Sequence, residues 1–202
     1  MPISNISHDK SGLPFITLGD HLAMDLLNTE ARNGESMVDY WTSDADVLKW
    51  LQQHEVLPVA EPSLEPGVFA VGELLSQAKA LRSVALRLIT AFKQEKLQDI
   101  SELNVFLHAY TSAPHLVSDN NGKWVITRIS GANTALAMLG PVAQSVAMLL
   151  VEGDATLVKQ CEHPDCILWF YDRTKAHKRR WCSMATCGNR FKAAQFRKRN
   201  SK

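Results

Sequence analysis

The chain has 202 residues, an apolar fraction of 46%, a charged fraction of 21% and a formal net charge of +1. This composition excludes an intrinsically disordered chain and supplies enough apolar residues for a core without disulfides. The longest apolar run, TALAMLGPVAQSVAMLLV (Thr134 to Val151), is interrupted by Gly140-Pro141 and carries Gln144 and Ser145; it reads as buried helix, because a membrane span needs about 20 uninterrupted apolar residues.

The small net charge conceals a split. From Lys159 onward there are 12 Lys+Arg and 3 Asp+Glu, a formal +9; the residues before it hold 10 basic and 18 acidic side chains, a formal −8. All four cysteines lie in the basic part. Such a division is expected of a nucleic-acid-binding module joined to a second domain. The opening residues, MPISNISHDKSG, lack the charged-then-apolar pattern of a signal peptide, so a cytoplasmic protein is expected.

In chain order, GDHLAMDLLNTEAR predicts a first helix capped by Asp20, with Met24, Leu27 and Ala31 at helical spacing. WTSDADVLKWLQQH predicts a second, in which Ser43 and Asp46 form a capping box and Val47, Trp50 and Leu51 the apolar stripe. Pro58, Pro62 and Pro66 mark a loop. A long helix follows, with Val71, Leu74, Leu75, Ala78, Leu81, Ala85, Leu88, Ile89 and Phe92 on one face. DISELNVFLHAY continues the helical pattern through Ile100, Leu103, Phe106, Leu107 and Tyr110, and Pro114 is expected to stop it. In HLVSDNNGKWVITRI, two β-prone runs flank Asn120-Asn121-Gly122, which is hairpin chemistry. The helical region around Pro141 completes a first domain, residues 1–155: mainly helical with a small antiparallel sheet, hence α+β.

The second domain, residues 156–202, is organised by its cysteines: Cys161-x4-Cys166, fifteen residues, Cys182-x4-Cys187. Two matched close pairs form a zinc pattern, since each pair lets the chain wrap one edge of a tetrahedron of thiolates. One Zn2+ per chain on these four residues is the expectation. Disulfides and an iron–sulfur cluster are the competing uses of four cysteines, and His163 or His177 is an alternative to one thiolate. Between the pairs, ILWFYD reads as a strand, RTKAHK as a turn and RRWC as a returning strand; a helix capped by Ser183 and carrying Phe191, Ala194 and Lys198 on one side follows. Knuckle, hairpin and ligand-bearing helix make a treble-clef finger, with Trp181 and Phe191 expected to cover the metal and Gly188 to permit close backbone approach.

CSMATCGNRFKAAQFRKRN, preceded by LWFYDRTKAHKRRWCSM, resembles the CGNR zinc finger, which takes its name from the stretch Cys187-Gly188-Asn189-Arg190 here. The N-terminal part, with DHLAMDLLNTE, resembles the ABATE domain that precedes this finger in bacterial stress-induced transcription regulators. The resemblance implies a treble-clef finger that binds DNA and an α/β N-terminal domain that binds a ligand.

Arg173, Lys175, Lys178, Arg179 and Arg180 on the hairpin, and Arg190, Lys192, Arg197, Lys198 and Arg199 on the helix, are the expected DNA contacts, with Arg190 and Asn189 alternatively fixing the finger itself. No catalysis is expected. The alternative functions are an HNH-like nuclease using His177 and Asn189, and an adaptor that binds an acidic protein. In the first domain, His21, Asp25 and Asn28 share one helix stripe and Arg82 lies on a core-facing stripe. These four are expected either to line a pocket for a small-molecule ligand or, through an Arg82–Asp25 pair, to tie two helices. The charge split further suggests that the acidic domain covers the basic face, and the first domain is a place for homodimer contacts.

Overall fold

The structure, a computed structural model, describes residues 15–34, 36–57, 70–96, 98–119, 121–130 and 134–200. The expected prolines Pro58, Pro62 and Pro66 lie outside these residues.

Helix α1 (Leu22–Leu27) is shorter than expected and is capped by His21, whose Nδ1 accepts the Ala23 N–H at 3.1 Å. Asp20 is not the cap; it sits at φ +54° and its carboxylate pairs with Arg179. The helix ends because Thr29 turns its hydroxyl onto the Leu26 carbonyl (2.7 Å) and accepts from Arg82 (2.8 Å). The chain is thereby drawn into β1 (Glu30–Asn33), which pairs antiparallel with β2 (Ser36–Asp39). Ala31 is buried from this strand and not from a helix.

Helix α2 (Asp44–Gln53) has the capping box as expected: Ser43 Oγ accepts the Asp46 N–H, and Asp46 accepts the Ser43 N–H at 2.9 Å. Aspartate reaches as well as glutamate does here. Helix α3 (Glu73–Lys93) buries Leu74, Ala78, Leu81, Ala85, Leu88 and Ile89; Val71 precedes it and is exposed. Helix α4 (Ser101–Ala109) buries Leu103 and Phe106 and leaves Ile100 exposed. It ends without help from Pro114, which lies inside β3 (Ser112–Ser118). β3 pairs with β4 (Trp124–Ser130) in the expected hairpin; Asn120 of its turn lies outside the described residues. Helices α5 (Ala135–Met138) and α6 (Gly140–Glu152) follow, with Pro141 in the first turn of α6, where its missing N–H costs nothing.

Helix α3 is the axis of the core, touching α1, α2, α4, α5 and α6. The described residues are helices with three two-stranded antiparallel sheets, the last of them in the C-terminal segment. The class is α+β; the parallel strands of an α/β domain are absent among them.

Arg82 is buried as its stripe requires, but Asp25 is not its partner. Its guanidinium takes both oxygens of Asp39 (3.0 and 2.8 Å) and one of Glu30 (2.9 Å), and lies 5.4 Å from the Trp41 ring centroid. It fastens α3 to the β1–β2 hairpin. Burial raises the Asp39 carboxyl, but hydrogen bonds from Arg82, Lys79 and the Trp41 N–H outweigh it and hold Asp39 well below the usual carboxylate range. Arg82→Ala removes the buried tie but leaves Asp39 its bonds from Lys79 and the Trp41 N–H, so a loss of about 1–3 kcal/mol is expected in denaturant unfolding. Because the folded value for Asp39 lies below the unfolded one, its contribution is present above about pH 4 and is lost on further acidification. A stability curve on Asp39→Asn should be flatter than that of the unaltered protein in this range.

Candidate metal centre and nucleic-acid interface

The C-terminal segment starts with β5 (Val158–Gln160), which pairs antiparallel with β6 (Trp169–Tyr171), so the first cysteine pair lies in the loop between them. The Cys161 N–H donates to Leu168 O (2.9 Å) and the Cys166 N–H to His163 O (2.9 Å), closing a tight knuckle. The strand expected at RRWC does not form. Its place is taken by one hydrogen bond, Glu162 N–H to Arg180 O (3.0 Å), because the Arg179 N–H is taken by Asp172 (2.9 Å). The partner of ILWFY is instead the strand before the knuckle. Ser183 caps the following segment as expected, and Cys187 sits in a wide π turn, Met184–Gly188, that runs into α7 (Asn189–Asn200).

The four Sγ atoms lie within 4.8 Å of one another, with Cys166–Cys182 at 3.8 Å and Cys182–Cys187 at 3.6 Å; none is in a disulfide. Zinc–sulfur bonds of about 2.3 Å in a tetrahedron require sulfur–sulfur edges of about 3.8 Å, so the donor set fits one Zn2+. Among the described residues the cluster contains these four side chains alone. His163 serves the knuckle turn, its Nδ1 accepting the Asp165 N–H at 3.2 Å. Four thiols so close cannot ionise independently. Hydrogen bonds from Cys166, Cys182 and Cys187 pull Cys161 far below the thiol range, and the same neighbourhood pushes Cys182 far up. A divalent cation removes that conflict by stabilising all four thiolates. Trp181 packs against the cluster and stacks on Phe191 with ring centroids 4.8 Å apart. Gly188 admits Met184 and Trp181 to the space a Cβ would fill.

The finger is not a free appendage. Asn28 grips β6 with both ends of its amide, Nδ2 donating to Trp169 O (2.9 Å) and Oδ1 accepting from Trp169 N–H (2.8 Å). Tyr171 N–H donates to Gly19 O (2.7 Å), and Lys93 Nζ to Val158 O (2.6 Å). Val158 is buried in the core of the helical domain. Arg179 crosses the same seam: it pairs with Asp20, donates to Leu18 O (2.9 Å) and Cys182 O (2.6 Å), and lies over the Phe170 ring at 4.2 Å. Arg179, expected on DNA, is therefore an internal tie.

The four residues expected around a ligand are likewise placed by the fold. His21 caps α1, Asn28 holds the seam, and Arg82 holds Asp39. Asp25 is buried and accepts the Gly19 N–H at 2.8 Å, and burial pushes its carboxyl up to about 7. The structure does not gather the four into one pocket. A cleft of about 570 Å³ lies elsewhere, lined by Leu107, Tyr110, Ser112, Arg128 and Gln144. No sequence pattern announced it, because its residues come from α4, the β3–β4 hairpin and α6.

Arg173, Lys175, Lys178, Arg180, Arg190, Lys192, Arg197, Lys198 and Arg199 are all exposed. Arg180 also pairs with Glu162 at 2.6 Å and lies 5.0 Å from the Trp181 centroid. The described part of the acidic domain leaves α7 without a buried residue. At 100° per residue, Phe191, Ala194 and Lys198 fall on the side turned to Trp181. The opposite stripe is Asn189, Ala193, Phe196 and Asn200, flanked by Lys192 and Arg199 on one side and Arg190 and Arg197 on the other. Asn189 also donates to Ala185 O at 3.2 Å, fixing the turn. Asp172 is fully buried and organises the basic loop. Burial raises its carboxyl, but hydrogen bonds from Lys159, Thr174 and the Arg179 N–H hold it well below the carboxylate range. It is thus committed to structure.

Two measurements check this description. Metal analysis of the purified chain should give one zinc; Cys187→Ser should give none, and the thermal transition of the helical domain should fall, because β5 and β6 lose their partners at the seam. Asp25→Asn isolates the buried acid. Its folded pKa lies above the unfolded value, so the unaltered protein loses stability as pH rises from about 4 to about 7, and the penalty then stays constant. Asparagine keeps the acceptor for Gly19 and has nothing to ionise. The Tm advantage of the variant should therefore grow from about pH 4 to about pH 7 and level off above that.

No curated protein matches the chain. Two family models do. Residues 158–200 match the CGNR zinc finger, which coincides with the four-cysteine centre and α7. Residues 20–153 match the ABATE model, described as "putative stress-induced transcription regulator". Since that match spans more than half of the chain, and the finger follows it in order, the protein belongs to the ABATE family, with a zinc-binding CGNR finger at its C-terminal end.

Proposed function

We propose that the protein is a DNA-binding transcription regulator of the cytoplasm that acts by binding, with no catalysis of its own. The observation that carries this reading is α7: a helix with no buried residue, basic on both flanks of its outer stripe, mounted through Phe191 and Trp181 on the four-cysteine site of an otherwise acidic chain. The finger is read as a treble clef whose last helix enters the major groove, with Ala193, Phe196 and Asn200 toward base edges and Lys192, Arg190 and Arg199 on phosphates. Arg173, Lys175 and Lys178 add phosphate contacts from the loop. The sensing half of the reading belongs to the cleft between α4, α6 and the β3–β4 hairpin, which is large enough for a metabolite.

The test is binding of duplex DNA to the zinc-loaded chain as a function of salt. Contacts with about four to six phosphates give a log–log slope of about −4 to −5. Lys192→Ala should weaken all sequences equally and reduce the slope by about 1. Phe196→Ala should change the ranking of sequences recovered from a random pool. Absence of binding at low salt would hand the finger to an acidic protein partner. Magnesium-dependent cutting that disappears in His177→Ala would make it a nuclease.

A further inference from the structure

In the β3–β4 hairpin, residues 112–118 and 124–128 include no buried side chain. Leu116 is 60% exposed, Trp124 69% and Ile126 74%. A two-stranded hairpin is marginal in water by itself, and three large apolar side chains on one arm are costly to leave wet. All three lie on one face, since the register pairs Ser118 with Trp124, Leu116 with Ile126 and Pro114 with Arg128.

The edges of the arm differ. The turn hydrogen bond from Asp119 N–H to Lys123 O (2.8 Å) fixes the parity of the ladder. Bonded and non-bonded pairs alternate in antiparallel strands. Val117–Val125 and His115–Thr127 therefore bond inward, and residues 114, 116, 118 and 124, 126, 128 turn their backbone polar groups outward. On β3 that outer edge is blunted by Pro114, which has no N–H. On β4 the outward groups of Trp124, Ile126 and Arg128 belong to residues that can all donate and accept.

We propose that two copies of the chain pair along β4, antiparallel about a two-fold axis at Ile126. Ile126 then bonds Ile126 of the second copy, and Trp124 lies opposite Arg128, whose guanidinium exchanges its bonds to Ser112 Oγ (3.1 Å) and Ser112 O (3.2 Å) for a cross-strand cation–π pair, twice. The edge is self-complementary: each aromatic ring meets a cation and no like charges face each other. The four-stranded sheet that results presents only β3 at its two outer edges. Both carry Pro114, so assembly closes at two and does not run on as a fibre. The joined sheet sets Trp124, Ile126 and Leu116 of both copies side by side as one apolar row, so that neighbouring side chains across the new edge shield one another's flanks.

The experiment is the molar mass of the full, zinc-loaded chain by light scattering at micromolar concentration, with zinc content and circular dichroism as controls for folding. Twice the chain mass is expected. Ile126→Lys, which places like charges on the axis, should halve it, and so should Ile126→Pro, whose lost N–H faces outward and is not used within the hairpin. Trp124→Arg should also give the single mass, and adding Arg128→Trp should restore the double one by swapping the pair. A monomeric unaltered chain, a dimer that survives Ile126→Lys, open-ended aggregates, or a swap that fails to restore the dimer would each overturn the proposal.

Discussion

The C-terminal part of the molecule depends on four sulfur atoms sharing one coordination sphere. Its strands are three residues long and its own apolar core is little more than Leu168, Phe170 and Trp181 against the cysteines. Its formal charge of +9 opposes compaction. Hydrogen bonding cannot overcome that repulsion at such a size; thiolate coordination can, with apparent binding energies of about 10 kcal/mol or more. The metal also neutralises part of the positive charge through its ligands, since four thiolates and one Zn2+ carry a net −2. The basic loop and α7 are therefore arranged around a locally negative centre.

What the metal assembles, the helical domain orients. Asn28 binds the Trp169 backbone as a neighbouring strand would, and Tyr171, Lys93 and Arg179 complete the seam. The finger shares core with the first domain through Val158, Trp169 and Tyr171. Only the four residues 154–157 separate the two family-defined segments. This gives α1 a double duty: its apolar face is core, and Asn28, the residue that caps its C-terminal end, is a joint. An asparagine in that joint supplies donor and acceptor at once without the desolvation cost of a charge.

Much of this was legible where the signal is local. The cysteine spacing, the Ser43–Asp46 capping box, the stripe of α3 and the hairpin around Gly122 each rest on residues close in sequence, and each is present. The failures share a cause. Helix α1 stops early because Arg82, fifty-three residues from Thr29, recruits the hydroxyl. Asn28 and Arg179 carry no local sign of their structural role, because their partners lie 141 and 161 residues away. Buried polar side chains look alike in sequence whether they await a ligand or a backbone. The β1–β2 turn is also marked locally: Asn33 pairs with Ser36, and Gly34, at φ +64°, follows it in the loop, a glycine signal that the helical periodicity upstream obscures. The strand expected at RRWC failed for a physical reason too, since Asp172 takes the amide that a ladder would have used.

The seam also fixes the electric character of the molecule. With the finger held rigidly, −8 on one part and +9 on the other form a permanent dipole anchored in the molecular frame, which a flexible tether would average away. In the field of a polyanion such a body experiences a torque before it touches anything. On the DNA-binding reading proposed above, the acidic domain turns outward and the basic helix inward, and diffusional encounters arrive already aligned. The near-zero net charge then matters less than its distribution: at long range the protein is almost neutral and released easily, and at short range it is strongly oriented. Screening with a decay length of about 8 Å at physiological ionic strength confines that alignment to the last approach.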